Sequence, residues 1–447
     1  MFTLKDKIAD HSAHVAIVGL GYVGLPLATA FAKAGFRTTG IDVNQDKVGA
    51  INAGRSYIPD VPDEDIVPHV QAGRLAATLD YDVLNEVDAV FICVPTPYDA
   101  QRAPDLSYIE AASKSIRPRL QPGQLIVLQS TTYPGTTEEI VQPILEESGL
   151  KAGVDFYLAF SPERIDPGNK QWSAYNTPKV VGGLTAECTQ VAADLLRQMG
   201  APVHPVSSAR TAELTKLLEN TFRAVNIALA NELALLTERM DIDYWEVVEA
   251  AKTKPFGFMA FTPGPGVGGH CIPIDPYYLS WKAREYDYYT EFIELAGEVN
   301  QAMTYHVVDL IAQALSLQEK PLKGANVLVL GVAFKRDIDD ARNSPAERII
   351  EFLLGRGARV SYHDPYVPSF RVGDNVFHRE PVTLESVALT EDEIAAADCV
   401  VIVTEHRNVD YERVVRLARL IVDTRNATAG VPGYEEKIVR LGVPLPR

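Results

Sequence analysis

The stretch Gly19-Leu20-Gly21-Tyr22-Val23-Gly24 constrains the fold of this chain more than any other. It follows a β-branched apolar run, His14-Val15-Ala16-Ile17-Val18, and leads into a helical segment, Leu25 to Ala34, that stops near Gly35. A second strand, Arg37 to Ile41, then ends at Asp42. Glycines spaced G-x-G-x-x-G between a strand and a helix permit a tight turn, a close backbone approach and close helix–strand packing. A pyrophosphate can rest on such a helix N-terminus, where free N–H groups and the dipole favour anions. Asp42 would accept hydrogen bonds from a ribose diol, and its charge would repel a 2′-phosphate. The expected ligand is therefore NAD in preference to NADP. The plainer alternative is a tight βα turn that binds no nucleotide. Lys47 reads two ways, as a contact to the outer edge of the cofactor or as a solvated helix residue.

The alternation of strand and helix continues. Asp88 to Val94, Gln124 to Gln129 and Phe156 to Phe160 read as buried strands. They end in Pro95-Thr96-Pro97, in Ser130-Thr131-Thr132-Tyr133-Pro134-Gly135 and in Ser161-Pro162-Glu163-Arg164. In an open parallel sheet, ligands bind off the carboxyl ends of the strands, so these loops converge on one crevice. From about Ala209 to Ala251 the pattern is helical, with apolar residues at three- and four-residue spacing and no Gly or Pro. Lys216 and Asn220, four apart, share one helix face. A second helical stretch runs from about Tyr289 to Leu317. Long helices with large apolar faces between two α/β segments point to a homodimer or a higher form. Ala325 to Gly331 opens another α/β unit, with further strands at Ala358–Tyr362, Asp398–Val403 and Leu420–Asp423. Lys335, Arg342 and Arg425 follow strand ends, where cations could meet a diphosphate. Each alone could equally be a surface residue.

One more loop stands out: Gly264-Pro265-Gly266-Val267-Gly268-Gly269-His270-Cys271-Ile272-Pro273-Ile274-Asp275. A lone thiol after a glycine-rich turn, with a carboxylate four residues on, reads as a nucleophile presented to a substrate. The alternative is an inert buried cysteine beside a turn. Cys93 lies within a strand and reads as core. The four cysteines are scattered, with no CxxC pair and no His/Cys cluster, so neither a disulfide framework nor a zinc site is indicated. A reducing cytoplasm fits, and the first residues lack a secretion-signal layout. No apolar run reaches the length of a membrane span. A formal charge of −17 argues against general nucleic-acid binding, which needs a basic face. At 447 residues, two or three domains are expected.

Taken together, these landmarks resemble the nucleotide-sugar (UDP-sugar) 6-dehydrogenase family over nearly the whole chain. They are the glycine loop with Asp42 and Lys47, Val94-Pro95-Thr96-Pro97, Ser130-Thr131, Ser161-Pro162-Glu163, Lys216 with Asn220, the Cys271/Asp275 loop, Phe334-Lys335 with Arg342, and Asp423-Thr424-Arg425-Asn426. The resemblance implies an α/β protein with two Rossmann-like doubly wound domains joined by a long helical dimerisation segment. The boundaries read as 1–205 for NAD binding, 206–318 for the central helices and cysteine loop, and 319–447 for UDP binding. It also implies a four-electron oxidation of a sugar C6 alcohol to a carboxylate, through a thiohemiacetal and then a thioester on Cys271. Lys216, helped by Asn220, would stabilise the oxyanion, Asp275 with Thr131 would handle protons, and Glu163 would position substrate or water. Gly19, Leu20, Gly21, Tyr22, Val23, Gly24, Asp42, Lys47, Pro95, Thr96, Thr131 and Arg342 would hold the cofactor. Glu163, Arg164, Lys216, Asn220, Gly268, Lys335 and Arg425 would hold the sugar nucleotide.

Two departures from the UDP-glucose pattern matter. The run Glu163-Arg164-Ile165-Asp166 leaves the register of a second acid open, so Asp166 has no fixed role. Ile274 stands where that branch usually has lysine. The cysteine loop and Ser161-Pro162-Glu163-Arg164 look instead like the branch acting on UDP-N-acetylhexosamines, UDP-N-acetylglucosamine above all. UDP-N-acetylmannosamine and UDP-glucose are the nearest rival substrates. A non-catalytic NAD-binding regulator would need none of Cys271, Lys216, Asn220 and Asp275. A two-electron hydroxyacid dehydrogenase would lack the thiol and the C-terminal domain.

Overall fold

The computed structural model describes residues 3–99, 103–166, 168–169, 171–173 and 175–445. The chain divides into two compact units: Met1–Glu219 with Tyr277–Tyr288, and Asn220–Pro276 with Tyr289–Arg447. The expected α/β class with two parallel sheets is what the chain forms.

The first unit is built on eight strands: β1 (His14–Val18), β2 (Arg37–Ile41), β3 (Leu75–Thr78), β4 (Ala89–Ile92), β5 (Leu125–Leu128), β6 (Tyr157–Phe160), β7 (Lys179–Gly183) and β8 (Val203–Pro205). Their order is β3-β2-β1-β4-β5-β6-β7-β8. Every pairing is parallel except β6 with β7. All five residues of β1 are buried. Val15 and Ile17 enter one core, and Ala16 and Val18 enter the core on the opposite face. That is why the central strands read as unbroken apolar runs and not as alternations.

The second unit holds a five-stranded parallel sheet, β10-β9-β13-β14-β15. Its strands are β9 (Asn326–Leu330), β10 (Arg359–His363), β13 (Cys399–Ile402), β14 (Ile421–Asp423) and β15 (Ile438–Arg440). An antiparallel pair, β11 (Ser369–Val372) and β12 (Val382–Glu385), lies beside it in the chain. Val327 and Val329 face one core, and Leu328 and Leu330 face the other.

Between the two sheets in sequence run the long helices Ala209–Met240 and Glu291–Leu317. The helical pattern expected to continue to Ala251 is interrupted. Asp241 adopts φ 61°, and Asp243 caps a new helix, Tyr244–Lys252, by accepting from the N–H groups of Trp245 and Glu246. Asp tolerates the left-handed region and caps well, so it ends a helix where neither Gly nor Pro is present. Among the described residues, no helix is long and apolar enough to cross a membrane.

Candidate active site

The glycine turn of the first unit is shaped from within at two of its three glycines. Gly19 has φ +92°, and a Cβ there would lie 2.7 Å from the Cys93 carbonyl oxygen. A Cβ on Gly24 would strike the Gly19 carbonyl. Gly21 is different: its φ is not left-handed, and a Cβ would meet nothing within 4 Å. Among the described residues nothing demands glycine there, so the open side is the side a ligand can approach. The helix that follows, Gly24–Lys33, has no side-chain cap; its Leu25 N–H goes to the Gly21 carbonyl at 3.1 Å and Pro26 has none, so of its first three residues Gly24 is the one that can offer an N–H to an anion. Asp42 is nearly buried, and its carboxylate accepts the N–H of Leu20 at 2.8 Å and of Asn44 at 2.9 Å. Lys47 lies 3.4 Å from Asp42 Oδ2 and partly offsets its charge. These residues fit a dinucleotide with a free ribose diol.

The loops beyond β4, β5 and β6 are tied to one another. The Thr96 hydroxyl donates to the Thr131 carbonyl at 2.8 Å, and Ser130 Oγ donates to the Val94 carbonyl at 2.7 Å. The Tyr278 hydroxyl donates to the Thr96 carbonyl. Glu163 is buried and saturated. Lys179 Nζ lies 3.0 and 2.8 Å from its two oxygens, Gln129 Nε2 donates at 3.0 Å, and the N–H groups of Arg164 and Ile165 donate at 2.7 and 3.0 Å. Burial pushes the Glu163 carboxyl up, but Lys179 and the two backbone donors outweigh it and hold the group below the usual carboxylate range. The Arg164 guanidinium is also engaged, on Glu219 and on the Pro178 carbonyl.

Lys216 sits on the helix Ala209–Met240, only 9% exposed. Among the described residues it has no hydrogen-bond or ion-pair partner. A largely desolvated ammonium without a counter-ion is electrostatically costly, and it is available to a ligand oxygen.

The second unit carries the thiol. Of the four cysteines, Cys93, Cys188 and Cys399 are buried, while Cys271 is partly exposed. Burial pushes the Cys93 and Cys399 thiols far up. The Cys271 carbonyl accepts the N–H of Ile274 at 3.0 Å and of Asp275 at 2.8 Å, forming a turn into the helix Asp275–Ala283. Asn220 Nδ2 donates to Asp275 Oδ2 at 2.6 Å, and both side chains are nearly buried. The loop glycines have internal reasons as well. A Cβ on Gly268 would lie 2.8 Å from Phe334 Cβ and 2.9 Å from Pro345 Cδ, and one on Gly269, at φ +88°, would lie 2.9 Å from the Phe334 ring. Gly264 is fixed by the Asn231 amide oxygen, which accepts its N–H at 3.0 Å. Arg342 chelates Asp340 through Nε and Nη2, and Nη2 lies 3.2 Å from His270 Nδ1. Burial pushes the Asp340 carboxyl up, but the Arg342 bonds and charge outweigh it and hold the group low.

A cleft of about 310 Å³ opens at the ends of β13 and β14, lined by Gly266, Phe334, Lys335, Arg336, Glu405 and Arg425 among others. Glu405 joins Arg336 and Arg425, the latter at 2.8 Å from Nε. Burial pushes its carboxyl up, yet Arg425 and Arg336 bring it below the ordinary range. Lys335, Arg336 and Arg425 line the cleft together with Glu405, a cationic lining of the kind a diphosphate takes. The ribose position of a dinucleotide site is closed here. Asp364, which follows β10 as Asp42 follows β2, accepts the N–H groups of Val332, Ala333, Tyr366 and Val367. His406 fills the remainder. Its Nδ1 accepts the Asp337 N–H at 2.9 Å, so the ring proton lies on Nε2, which donates to Asp364 at 3.1 Å.

Sequence reasoning passed over Glu405, Lys179, Gln129 and Glu213. Glu405 was signalled by its place at a strand end. The others were not, because their burial depends on tertiary packing. Lys335 and Arg425 line one cleft of the second unit, Gly268 faces Phe334 and Pro345 of the same unit, and Arg342 is nearby in the chain. Lys216, Thr131, Glu163, Arg164, Pro95 and Thr96 belong to the first.

A sheet with a dinucleotide-binding turn, a second sheet with a diphosphate-sized cationic cleft, and one accessible thiol define a nucleotide-dependent oxidoreductase. Comparison with known proteins narrows this. Residues 13–200 match the NAD binding domain, 210–302 the central domain and 328–430 the UDP binding domain of the UDP-glucose/GDP-mannose dehydrogenase family. The chain is 40% identical over 356 residues to a UDP-N-acetyl-D-glucosamine 6-dehydrogenase of Pseudomonas aeruginosa, covering 79% of this chain and 83% of that one. It is 36% identical over 427 residues to an NDP-N-acetyl-D-galactosaminuronic acid dehydrogenase of Ralstonia solanacearum, covering 92% and 95%. The solved structure of a UDP-D-ManNAc dehydrogenase from Pyrococcus horikoshii superposes with a TM-score of 0.86 at 33% identity, over 96% of this chain and 99% of that one. The chain belongs to the UDP-glucose/GDP-mannose dehydrogenase family. It is an NAD-dependent UDP-sugar 6-dehydrogenase.

Proposed function

We propose that the chain oxidises the C6 alcohol of a UDP-N-acetylhexosamine, UDP-N-acetyl-D-glucosamine before its epimers, to the uronic acid through a thioester on Cys271. The observation that carries this reading is the partial exposure of Cys271 alone among the four thiols. The preference for an N-acetyl sugar is supported by Ile274, by Ser161-Pro162-Glu163-Arg164, and by what the relatives named above act on.

NAD bound at the Gly19–Gly24 turn and Asp42 supplies the two-electron acceptor for each of the two oxidations. Pro95, Thr96 and Thr131 would border it, with Arg342 assigned to it by family likeness. The Cys271 thiolate adds to the C6 aldehyde and makes a thiohemiacetal, whose carbon is oxidised far more readily than an aldehyde is. Water then releases the acid from the thioester and returns the thiol. The Lys216 ammonium stabilises the oxyanion formed when sulfur or water adds to C6. Asp275, held by Asn220, accepts and returns protons with Thr131. Glu163, which accepts the Arg164 and Ile165 N–H groups, would position substrate or water through the loop after β6. Lys335 and Arg425 bind the diphosphate, and Gly268 lets the loop lie close to the ligand. On this reading, domains 1–205, 206–318 and 319–447 bind cofactor, carry the thiol and bind UDP.

The test is a stoichiometric assay with UDP-N-acetylglucosamine, UDP-N-acetylmannosamine, UDP-N-acetylgalactosamine and UDP-glucose. Two NADH per acid are expected, with kcat/KM for UDP-N-acetylglucosamine well above that for UDP-glucose. A site that hydrogen-bonds the acetamido group rejects a sugar lacking it, because its own polar groups are left unpaired. Replacing NAD+ by NADP+ is expected to lower kcat/KM, because Asp42 repels the 2′-phosphate. Equal rates with the two sugars, or with the two cofactors, would remove the corresponding assignment.

The helix Ala209–Met240 also supports self-association. Leu218, Phe222, Leu229, Leu233, Leu236 and Met240 are between 38% and 64% exposed and recur at three-, four- and seven-residue spacing. Such an apolar stripe is more than a lone monomer normally leaves in water. Light scattering on the purified chain is expected to give at least twice the 49.0 kDa chain mass. A monomer at micromolar concentration would rule this out.

A further inference from the structure

We propose that Glu213 and Glu219 are positioning residues that lock the Lys216 turn of the helix Ala209–Met240 to two ligand-facing loops of the first unit. The inference rests on the role given to Lys216 above.

The three residues are spaced by three, so each acid lies about one turn from the lysine. At that spacing, an unengaged carboxylate would pair with Lys216. Neither acid does. Glu213 is fully buried. Its Oε2 accepts the Gly135 N–H at 2.5 Å, and its Oε1 accepts the N–H and the hydroxyl of Thr137 at 2.9 and 2.7 Å. Burial pushes this carboxyl up. These three bonds come from N–H and O–H donors of the segment that closes the Thr131 loop. The helical segment it caps begins as a wide π-turn, Thr137–Val141.

Glu219 is committed in the other direction. Its two oxygens accept from Arg164 Nε at 3.2 Å and Nη2 at 2.6 Å, the paired geometry that fixes orientation as well as distance. Arg164 follows Glu163, and Glu163 accepts from Gln129, the residue before Ser130. Lys179, 1% exposed, anchors Glu163 from inside the sheet.

The contacts therefore form a closed circuit. It runs from the helix through Glu213 to the loop after β5, through Gln129 and Glu163 to the loop after β6, and back through Arg164 and Glu219 to the helix. Lys216 lies between the two points of attachment. The circuit has two effects. It fixes the backbone that carries the ammonium, and it occupies the acids that would otherwise neutralise it. A group that acts on a developing charge loses most of its effect when displaced by about an ångström.

The test uses the full-length enzyme and whichever of the three UDP-N-acetylhexosamines it oxidises fastest. Glu219 is about one-third exposed, so its variants are expected to fold. Glu219→Ala is expected to lower kcat about tenfold, with KM for NAD+ little changed. Glu219→Gln, which keeps an oxygen for Arg164, should recover part of the loss. The decisive arm is the Lys216→Met background. There, Glu219→Ala and, separately, the isosteric Glu213→Gln should cause no further loss, because each acts through the lysine. A merely structural role would lower the melting temperature of Glu219→Ala and leave kcat per folded enzyme at the wild-type value. That outcome overturns the proposal and leaves the Lys216 reading standing. Equal losses with and without Lys216 would also overturn it. Full activity of Lys216→Met alone would overturn the reading of Lys216, and the positioning role with it.

Discussion

Cys271→Ala is expected to bind NAD+ normally and to form no sugar acid, a loss of at least about a thousandfold. The size of the effect follows from the chemistry. An aldehyde carbon is a poor hydride donor, and only addition of a nucleophile at C6 converts it to a good one. The three other thiols are buried and cannot substitute. The change should be local, because Cys271 is partly exposed and its carbonyl, which Ile274 and Asp275 use, is unaffected by the side chain. NAD+ binding measured by calorimetry separates loss of chemistry from loss of fold. Acid production at the wild-type rate would eliminate the thioester route.

The second large effect is expected at Lys216. Lys216→Met keeps the aliphatic stem and removes the charge, and should lower kcat by about two to three orders of magnitude, as removal of an oxyanion donor does. KM for NAD+ should stay within about twofold, because the interaction is made only as charge develops on the sugar oxygen. Stability should rise or hold, since a largely buried ammonium without a partner is replaced by an apolar group of similar length. A variant that loses stability and keeps kcat would identify Lys216 as a structural lysine.

Much of the fold was legible because the central strands are buried on both faces. β1 and β2 were placed to the residue, since the glycine turn and Asp42 fix their ends. The break at Asp241 was not legible: the pattern on either side is helical, and the interruption rests on one left-handed aspartate and one cap. The glycine-rich stretch before Cys271 was read as presenting a nucleophile to a substrate, and at Gly268 and Gly269 part of the reason for glycine is Phe334 and Pro345. Asp364 and Asp42 occupy equivalent strand ends, but only the fold reveals that His406 closes the first of these. Buried charges such as Lys179 and Glu213 are the least readable class. Their sequence signature is that of any surface residue, and only packing removes them from water.

The most direct test of the account is an acid quench during turnover of the wild-type enzyme with excess NAD+ and UDP-N-acetylglucosamine, followed by peptide mass analysis. The account predicts a uronyl thioester on the peptide that contains Cys271, formed and lost at rates that match acid release. An unmodified Cys271 throughout turnover, with acid still accumulating and two NADH formed per acid, would contradict it.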